Sequence, residues 1–213
     1  KNLNLMKKNQ SLIYITESIL KGIQLEFREH RPKIVFVQGD TTSAFAAALA
    51  AFYEKIPIAH VEAGLRSGNK FDPYPEEANR RLISQIASLH FAPTEISLNN
   101  LISEGIKKDT YLTGNTIIDS LKIVSKRVKP FHLEGFDLSK KDLILATLHR
   151  RENWGEKLND IAIALKKIVD DNLSTFLLLP LHKNPVVRET LKKVLEGNDR
   201  IFLAEPLAYD QLV

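Results

Sequence analysis

The sequence predicts an α/β protein built from two parallel-sheet units. Short apolar runs rich in β-branched residues alternate with longer segments of helical periodicity, which is the pattern of repeated βα units. Polar and charged residues follow several of the apolar runs directly, at the positions where strands of such a sheet end. The segment 129–141 (KPFHLEGFDLSKK) lacks periodicity and carries Pro, Gly and charge, so it is predicted to connect the two units.

Each predicted element rests on its periodicity. Residues 10–29 repeat apolar side chains at helical spacing and predict the first helix, and KIVFVQ at 33–38 is a β-branched run typical of a buried strand. The alanine-rich segment 42–54 predicts the helix that leads to the next strand. Further strands are predicted at 58–62, 89–92, 110–112, 142–148, 174–180 and 200–203, and further helices at 76–88, 95–104, 115–128, 156–171, 185–196 and from 207 onwards.

The composition limits the classes of function. With 213 residues and 44% apolar side chains, the chain can bury a substantial core. It contains no apolar run of 18 residues and no basic-then-apolar leader, so neither a membrane span nor a signal segment is expected. The absence of Cys favours a reducing, cytoplasmic setting. The net charge of +4 is spread along the chain, which argues against a nucleic-acid partner but suits a small anionic ligand.

Two carboxylates follow the first two predicted strands. In VQGDTTS, Gly39 permits a tight turn, and one of the next four residues, Asp40, Thr41, Thr42 and Ser43, could simply cap the helix. The functional alternative is that the Asp40 carboxylate orients a hydroxyl or takes a proton. Glu62 ends the strand IAHV, where a buried carboxylate is costly unless it is paired, for example with Arg66. The loop that follows, 63–74, has a length at which loops are usually functional or disordered.

Two adjacent glutamates open the next predicted helix in PEEANRR. Their i,i+4 spacing pairs Glu76 with Arg80 and Glu77 with Arg81, which alone is ordinary surface-helix chemistry. At about 100° per residue, Glu76 and Arg80 flank the apolar stripe of this helix, whereas Glu77 and Arg81 point away from it. Glu76 is therefore the predicted site residue, and Glu77 is predicted to face solvent.

Basic and polar residues follow two strands of the second predicted unit. His149 leaves the first of these strands and precedes Arg150 and a second arginine, a group suited to a phosphate-bearing ligand, although a single histidine there is more often structural. PLHKNP repeats the theme with His182 and Asn184. Its alternative interpretation is a helix capped by Asn184 with Pro at the first position.

Several common catalytic motifs are absent. The sequence lacks the glycine fingerprint of dinucleotide-binding folds, the P-loop, the zincin motif and the nucleophile elbow, so these four functions lose their usual support. His30, His60, His90 and His132 lack metal-ligand spacing with acidic partners. No metal is predicted.

The sequence strongly resembles the non-hydrolysing UDP-N-acetylglucosamine 2-epimerases over essentially all 213 residues, in VQGDTTSAFAAALAAFYEKIPIAHVEAGLRSGN, PYPEEANRR, HFAPT, TGNTIID, TLHRREN, PLHKNP and EPLAYDQLV. The resemblance implies two Rossmann-like domains of the glycosyltransferase-B type, both incomplete in this chain. Residues 1–128 would form the N-terminal domain without its first strands, and residues 129–213 would begin the C-terminal, nucleotide-binding domain. The family's N-terminal Gly-Thr-Arg-Pro-Glu loop and C-terminal Ser-Gly-Gly loop are absent, so the chain is expected to be an internal fragment with little or no activity alone.

The resemblance also implies a reaction and its residues. The reaction is the interconversion of UDP-N-acetylglucosamine and UDP-N-acetylmannosamine, by elimination of UDP to a 2-acetamidoglucal and re-addition, without a cofactor. The implied acid/base group is Asp40, Glu62 and Glu76, with His149 at the diphosphate. The expected substrate-binding residues are Arg80, Arg150, His182 and Asn184.

Partners and rival functions are also implied by the resemblance. UDP-N-acetylglucosamine is expected as substrate and also as an activator, near positions such as Glu76, Arg150 and His182, and the full-length protein is expected to be a homodimer. One alternative is a hydrolysing epimerase that releases N-acetylmannosamine. The other is a non-catalytic fragment that binds nucleotide sugars.

Overall fold

The structure is a computed structural model and describes residues 2–5, 7, 10–128, 142–148 and 153–213. Its contacts divide the chain into two compact units, which we call unit 1 (Lys1–Asp119) and unit 2 (Ser120–Val213). Each unit contains one parallel sheet with helices packed against it, so the predicted α/β class is confirmed. The domain boundary placed at 128/129 from the sequence remains a prediction.

Unit 1 contains a four-stranded parallel sheet in the order β1-β2-β3-β4. In this order each strand pairs with the one that precedes it along the chain, as expected for consecutive βα units that return the chain to the neighbouring strand position. The elements are α1 (Leu12–His30), β1 (Val35–Gln38), α2 (Thr42–Tyr53), β2 (Ile58–Val61), α3 (Glu76–Ile86), β3 (Leu89–Ala92), α4 (Glu95–Ser103), β4 (Thr110–Leu112) and α5 (Thr116–Ser125), the last of which continues into unit 2.

The core of unit 1 depends on the small side chains of α2. Ala48 and Ala51 are fully buried and cluster with Val37, Ile58 and Ile83 from the sheet and from α3. Because alanine has no side chain beyond Cβ, α2 can approach both the sheet and α3 closely. This packing fixes the start of α3 near the end of β1, where the charged residues lie.

Unit 2 contains a three-stranded parallel sheet in the order β5-β6-β7. Its elements are β5 (Asp142–Leu145), α6 (Glu156–Asp171), β6 (Thr175–Pro180), α7 (Pro185–Leu195), β7 (Ile201–Ala204) and α8 (Tyr209–Leu212). The core packs Leu158, Leu177, Leu179, Leu191 and their neighbours between the sheet and the helices α6 and α7. The predicted strand 142–148 ends at Leu145, three residues early, and Thr147 instead lines a cavity. Among the described residues, no helix is both long and apolar enough to cross a membrane.

Candidate active site

Asp40 lies at the carboxyl end of β1 and does not cap the helix that follows. The cap of α2 is Thr41, whose side chain accepts a hydrogen bond from the Ala44 N–H at 3.2 Å. The Asp40 carboxylate instead pairs with the guanidinium of Arg80, and its carbonyl accepts a 2.9 Å hydrogen bond from Asn79 Nδ2. The capping interpretation therefore holds for Thr41 but not for Asp40, which belongs to a polar network at the edge of the sheet.

Glu62 follows β2 and lies beside the same turn. Its backbone is left-handed (φ 66°), and its Oε2 lies 3.9 Å from the position that a Cβ on Gly39 would occupy. The alternative that Arg66 neutralises Glu62 is wrong, because the Arg66 guanidinium binds both carboxylate oxygens of Glu104 at 2.8 and 2.7 Å. Within the described part of the chain, the Glu62 carboxylate has no hydrogen-bonding or ion-pair partner.

Glu76 is the first residue of α3 and shares a helix face with two residues that contact Asp40. Residues three and four positions apart on a helix are neighbours, so Asn79 and Arg80 lie one turn beyond Glu76 on that face. Arg80 pairs with Asp40 and Glu77 rather than with Glu76 as predicted. Glu76 is partly exposed, and no partner for its carboxylate is found among the described residues.

The prediction that Glu77 faces solvent is wrong. Its side chain is fully buried rather than solvent-facing. It accepts hydrogen bonds from the Ser67 N–H at 3.0 Å and Arg81 Nε at 2.8 Å, and Arg80 approaches within 3.4 Å. The helical projection failed because it considers α3 alone, whereas the loop between β2 and α3 folds over the Glu77 side of the helix.

The charge of Glu77 is stabilised despite its burial. Burial alone opposes ionisation, but the hydrogen bonds from Arg81 and Ser67 and the charge of Arg80 outweigh it and hold the pKa of Glu77 below its usual value. The ionised carboxylate therefore connects the loop to Arg80, which in turn contacts Asp40.

The loop between β2 and α3 is anchored at Gly64. The Gly64 carbonyl accepts a 2.9 Å hydrogen bond from Asn100 Nδ2, and its φ is +87°. A Cβ at this position would lie 2.1 Å from the carbonyl oxygen of Ser97, so only glycine fits against α4. This contact fixes the direction in which the chain leaves Glu62.

Sequence reasoning missed the importance of two histidines in the sheet. His60 on β2 and His90 on β3 are register partners and are both buried. Burial lowers the pKa of His60 to about 4 and also lowers the pKa of His90. The signal in the sequence was the polar residue in the middle of each apolar strand, because a buried polar group must find a partner.

Unit 2 presents a cavity of about 400 Å³ at the carboxyl ends of its strands. It is lined by Thr147, Leu148, Pro180, Leu181, His182, Lys183, Pro206, Leu207 and Leu212. His182 is exposed, and its Nδ1 accepts the Asn184 N–H at 3.2 Å. Asn184 caps α7 through its side chain, with Pro185 at the first position, so the capping interpretation of this residue holds.

Two of the predicted site residues have no described position. His149 and Arg150 lie outside the described residues. The spacing of His30 was misjudged, because potential ligand atoms of His30, Glu26 and Glu29 lie within 4.8 Å of one another on α1. These three side chains are partly or fully exposed, and the absence of a functional metal remains a prediction.

The chain matches known proteins over its whole length. The model of the family described as UDP-N-acetylglucosamine 2-epimerase matches residues 1–213. A putative UDP-N-acetylglucosamine 2-epimerase of Thermotoga maritima is 45% identical over 209 residues, which are 97% of this chain and 55% of that protein. The chain thus spans about half the length of the curated relatives that it matches.

Solved structures show the same similarity. The crystal structure of UDP-GlcNAc 2-epimerase from Neisseria meningitidis bound to UDP-GlcNAc has a TM-score of 0.93 and 41% identity, over 98% of this chain and 58% of that one. The Methanocaldococcus jannaschii UDP-GlcNAc 2-epimerase in complex with UDP-GlcNAc and UDP has a TM-score of 0.79 and 36% identity, over 99% and 59% of the two chains. The predicted fold, two Rossmann-like domains of the glycosyltransferase-B type, is confirmed, and the chain belongs to the UDP-N-acetylglucosamine 2-epimerase family.

Proposed function

We propose that the protein containing this chain interconverts UDP-N-acetylglucosamine and UDP-N-acetylmannosamine without hydrolysing them. The observation that carries the proposal is the edge of the sheet in unit 1, where Glu62 and Glu76 have no partner among the described residues. Asp40 follows β1 at the same edge and has a single ion pair, to Arg80. Carboxylates that are not committed to other side chains can exchange protons with a ligand.

The proposed reaction needs two proton transfers at one carbon atom. A base removes the proton at C2, and the C1–O bond breaks so that its electron pair leaves with UDP, which forms a 2-acetamidoglucal. An acid then returns a proton to C2 from the opposite face, and a phosphate oxygen of UDP re-forms the bond to C1. We assign these transfers to Asp40, Glu62 and Glu76 as a group, and the stabilisation of the departing diphosphate to His149.

The nucleotide is proposed to bind in unit 2. Its cavity combines apolar walls, which suit a base and a ribose, with the ammonium group of Lys183 for the diphosphate. We propose that the substrate is also bound by the residues predicted from the sequence, Arg80, Arg150, His182 and Asn184. Arg80 and Asn184 are already engaged, by Asp40 and by the helix cap respectively, so any contact with substrate must be shared with these roles.

The deciding experiment is the epimerase assay of the complete protein in deuterated water. The expected result is conversion of UDP-N-acetylglucosamine with deuterium incorporated at C2, because the eliminated proton exchanges with solvent. Conversion with C2 protium retained would refute the elimination route. Release of free N-acetylmannosamine would instead identify the hydrolysing alternative, and binding without any conversion would identify the non-catalytic one.

We also propose that UDP-N-acetylglucosamine activates the enzyme and that the complete protein is a homodimer. The expected results are a sigmoidal dependence of the rate on substrate concentration and twice the monomer mass in light scattering. Hyperbolic kinetics would contradict the first proposal, and a monomeric mass would contradict the second.

A further inference from the structure

His60 is a fully buried histidine whose ring contacts the turn leading to Asp40. Its Nε2 lies 2.9 Å from the carbonyl oxygen of Gly39. A carbonyl group only accepts hydrogen bonds, so the ring donates its Nε2–H and is the Nε2-protonated tautomer. Its Nδ1 is buried and has no partner within the described residues. The ring therefore makes one directed hydrogen bond, and that bond goes to the end of the neighbouring strand.

The Gly39 turn is held on both sides by the neighbouring strand. Gly39 has a φ of +70°, and its N–H donates to the Val61 carbonyl at 3.0 Å while its own carbonyl accepts from His60. The next residue is Asp40, whose carbonyl is bound by Asn79 at 2.9 Å. A side-chain hydrogen bond thus fixes the backbone immediately before Asp40, and another fixes the backbone immediately after it.

The same turn borders Glu62. The Glu62 Oε2 lies 3.9 Å from the position that a Cβ on Gly39 would occupy, and Glu62 follows His60 by two residues, directly after β2. A displacement of the Gly39 peptide would therefore change the spacing between Asp40 and Glu62. The ring of His60 joins the ends of the two strands that carry these carboxylates.

We propose that His60 is a positioning residue for epimerisation, because its ring N–H holds the Gly39 carbonyl and so sets the separation of Asp40 and Glu62. The inference rests on the proposed function, which assigns the proton transfers to those carboxylates. His60 acts through the backbone and does not touch the reacting atoms. A misplacement of about 1 Å in such a group can reduce a rate by about 100-fold.

The ring performs this role without bringing charge to the site. Burial lowers the pKa of His60 to about 4, and the nearby charge of Arg66 opposes protonation whereas Asp40 favours it. At neutral pH the ring is therefore uncharged. It orients the turn while leaving the charge balance of the carboxylates to Arg80.

His90 offers a matched control on the next strand. It is the register partner of His60, is 2% exposed, and also has a pKa lowered by burial. The Ala87 backbone, which precedes β3, raises the pKa of His90 against the larger effect of burial, whereas the ring of His60 binds the residue that follows β1. The two histidines thus share register and burial, and it is His60 whose ring binds the turn that precedes Asp40.

The test compares four variants of the complete protein: His60→Leu, His60→Gln, His60→Asn and His90→Leu. The rate constant kcat and the KM for UDP-N-acetylglucosamine are measured per folded molecule. For His60→Leu we expect kcat to fall by about 10- to 100-fold with KM nearly unchanged, because the loss is one of alignment. His60→Gln should recover most of this loss, since its amide N–H reaches the Gly39 carbonyl, and the shorter His60→Asn should not. His90→Leu should reduce stability but keep kcat.

Three results would overturn the inference. One is a wild-type kcat in His60→Leu, and another is an equal loss of kcat in His90→Leu. The third applies if His60→Leu does not fold, and it is an equal kcat in His60→Gln and His60→Asn. A wild-type protein that does not convert the substrate would refute the proposed function itself, so the two failures are distinguishable.

Discussion

The two sheets differ in the chemistry at the carboxyl ends of their strands. In unit 1 this edge is ionic, with Asp40 and Arg80 paired beside Glu62. In the described part of unit 2 it is a mostly apolar cavity, whose lining also includes Lys183 and His182. Every buried ionisable side chain among the described residues (His60, Glu77 and His90) lies in unit 1.

This difference shows how one architecture supports two tasks. A parallel sheet brings the ends of its strands to one edge regardless of the sequence there. The residues that leave the strands then decide whether the edge transfers protons, as proposed for unit 1, or holds a ligand, as proposed for unit 2. Substitutions in one unit should therefore change the reaction, and those in the other should change binding.

The largest effect is expected for Gly64→Ala, which tests whether the loop of unit 1 is fixed. The added Cβ would lie 2.1 Å from the Ser97 carbonyl oxygen, so we expect a loss of more than about 4 kcal/mol in the free energy of unfolding. Gly68→Ala is the matched control, because Gly68 has a similar φ of +82° but no atom within 4 Å of that position. It should cost only about 1–2 kcal/mol, measured by urea unfolding. Similar losses in the two variants would contradict the close contact with α4.

The next largest effect is expected for Glu62→Gln in the complete protein. Removal of an acid/base group should lower kcat by about 100- to 10,000-fold, because the amide cannot exchange the proton. The affinity for UDP should remain, since the nucleotide is proposed to bind in unit 2. Calorimetry with UDP provides that control, and a loss of UDP affinity with normal kcat would reverse the assignment of tasks to the two units.

As the pH is lowered, unit 1 should lose stability at a higher pH than unit 2. The pKa of buried His60 is lowered to about 4, so its neutral form stabilises the fold fully above pH 6.5, and this stabilisation is lost as the pH falls towards 4. A shift of this size corresponds to about 3 kcal/mol. Hydrogen exchange at pH 7 and pH 5 should show weaker protection in β2 and little change in β6. In His60→Gln the pH dependence of β2 should be smaller, and an unchanged dependence would exclude His60 as its source.

A smaller effect is expected for the adjacent residues Glu76 and Glu77, whose substitutions should change different quantities. Glu77→Gln removes a charge that Arg81 and Arg80 contact in a buried position, and we expect a loss of about 1.5–3 kcal/mol in the free energy of unfolding. Glu76→Gln should change that free energy by less than about 0.5 kcal/mol and instead lower kcat. Thermal unfolding and the epimerase assay measure both quantities. If Glu76→Gln were the more destabilising change, the assignment of the two residues would be wrong.

The smallest effect is expected for Lys183→Ala at the cavity of unit 2. Loss of one exposed positive charge should weaken UDP binding by about fivefold to tenfold with little change in kcat. Lys193→Ala, an exposed lysine on α7 that does not line the cavity, serves as the control. Equal UDP affinities in the two variants would remove Lys183 from the proposed binding site.

Much of the fold could be predicted because it depends on local signals. Apolar periodicity gave every strand and helix of unit 1 to within a few residues, and the start of α3 at Glu76 was correct. The error in β5 concerns residues 146–148, where apolar and β-branched residues predict a continuing strand but the chain leaves the sheet, although β6 itself continues to Pro180. Here the pairing of β5 with β6 ends at Leu145.

The candidate site could be predicted only in part. The positions of Asp40 and Glu62 after strands were predicted correctly, because they depend only on the local chain, whereas their roles remain predictions. The partners of Arg66 and Glu77 were missed, because Glu104 and Ser67 lie on other elements. A helical projection gives the direction of each side chain from its own axis, but it does not show which loop covers that side.

The sequence by itself determined the order of the elements, the parallel sheets and the positions of the carboxylates after the strands. These features follow from the periodicity of apolar residues and from the geometry of parallel strands. Only the tertiary structure decided that Glu77 is buried, that Arg66 binds Glu104 and that His60 holds the Gly39 turn. The physical reason is that a hydrogen bond between residues distant in sequence depends on where the intervening chain places both groups, to within a few tenths of an ångström.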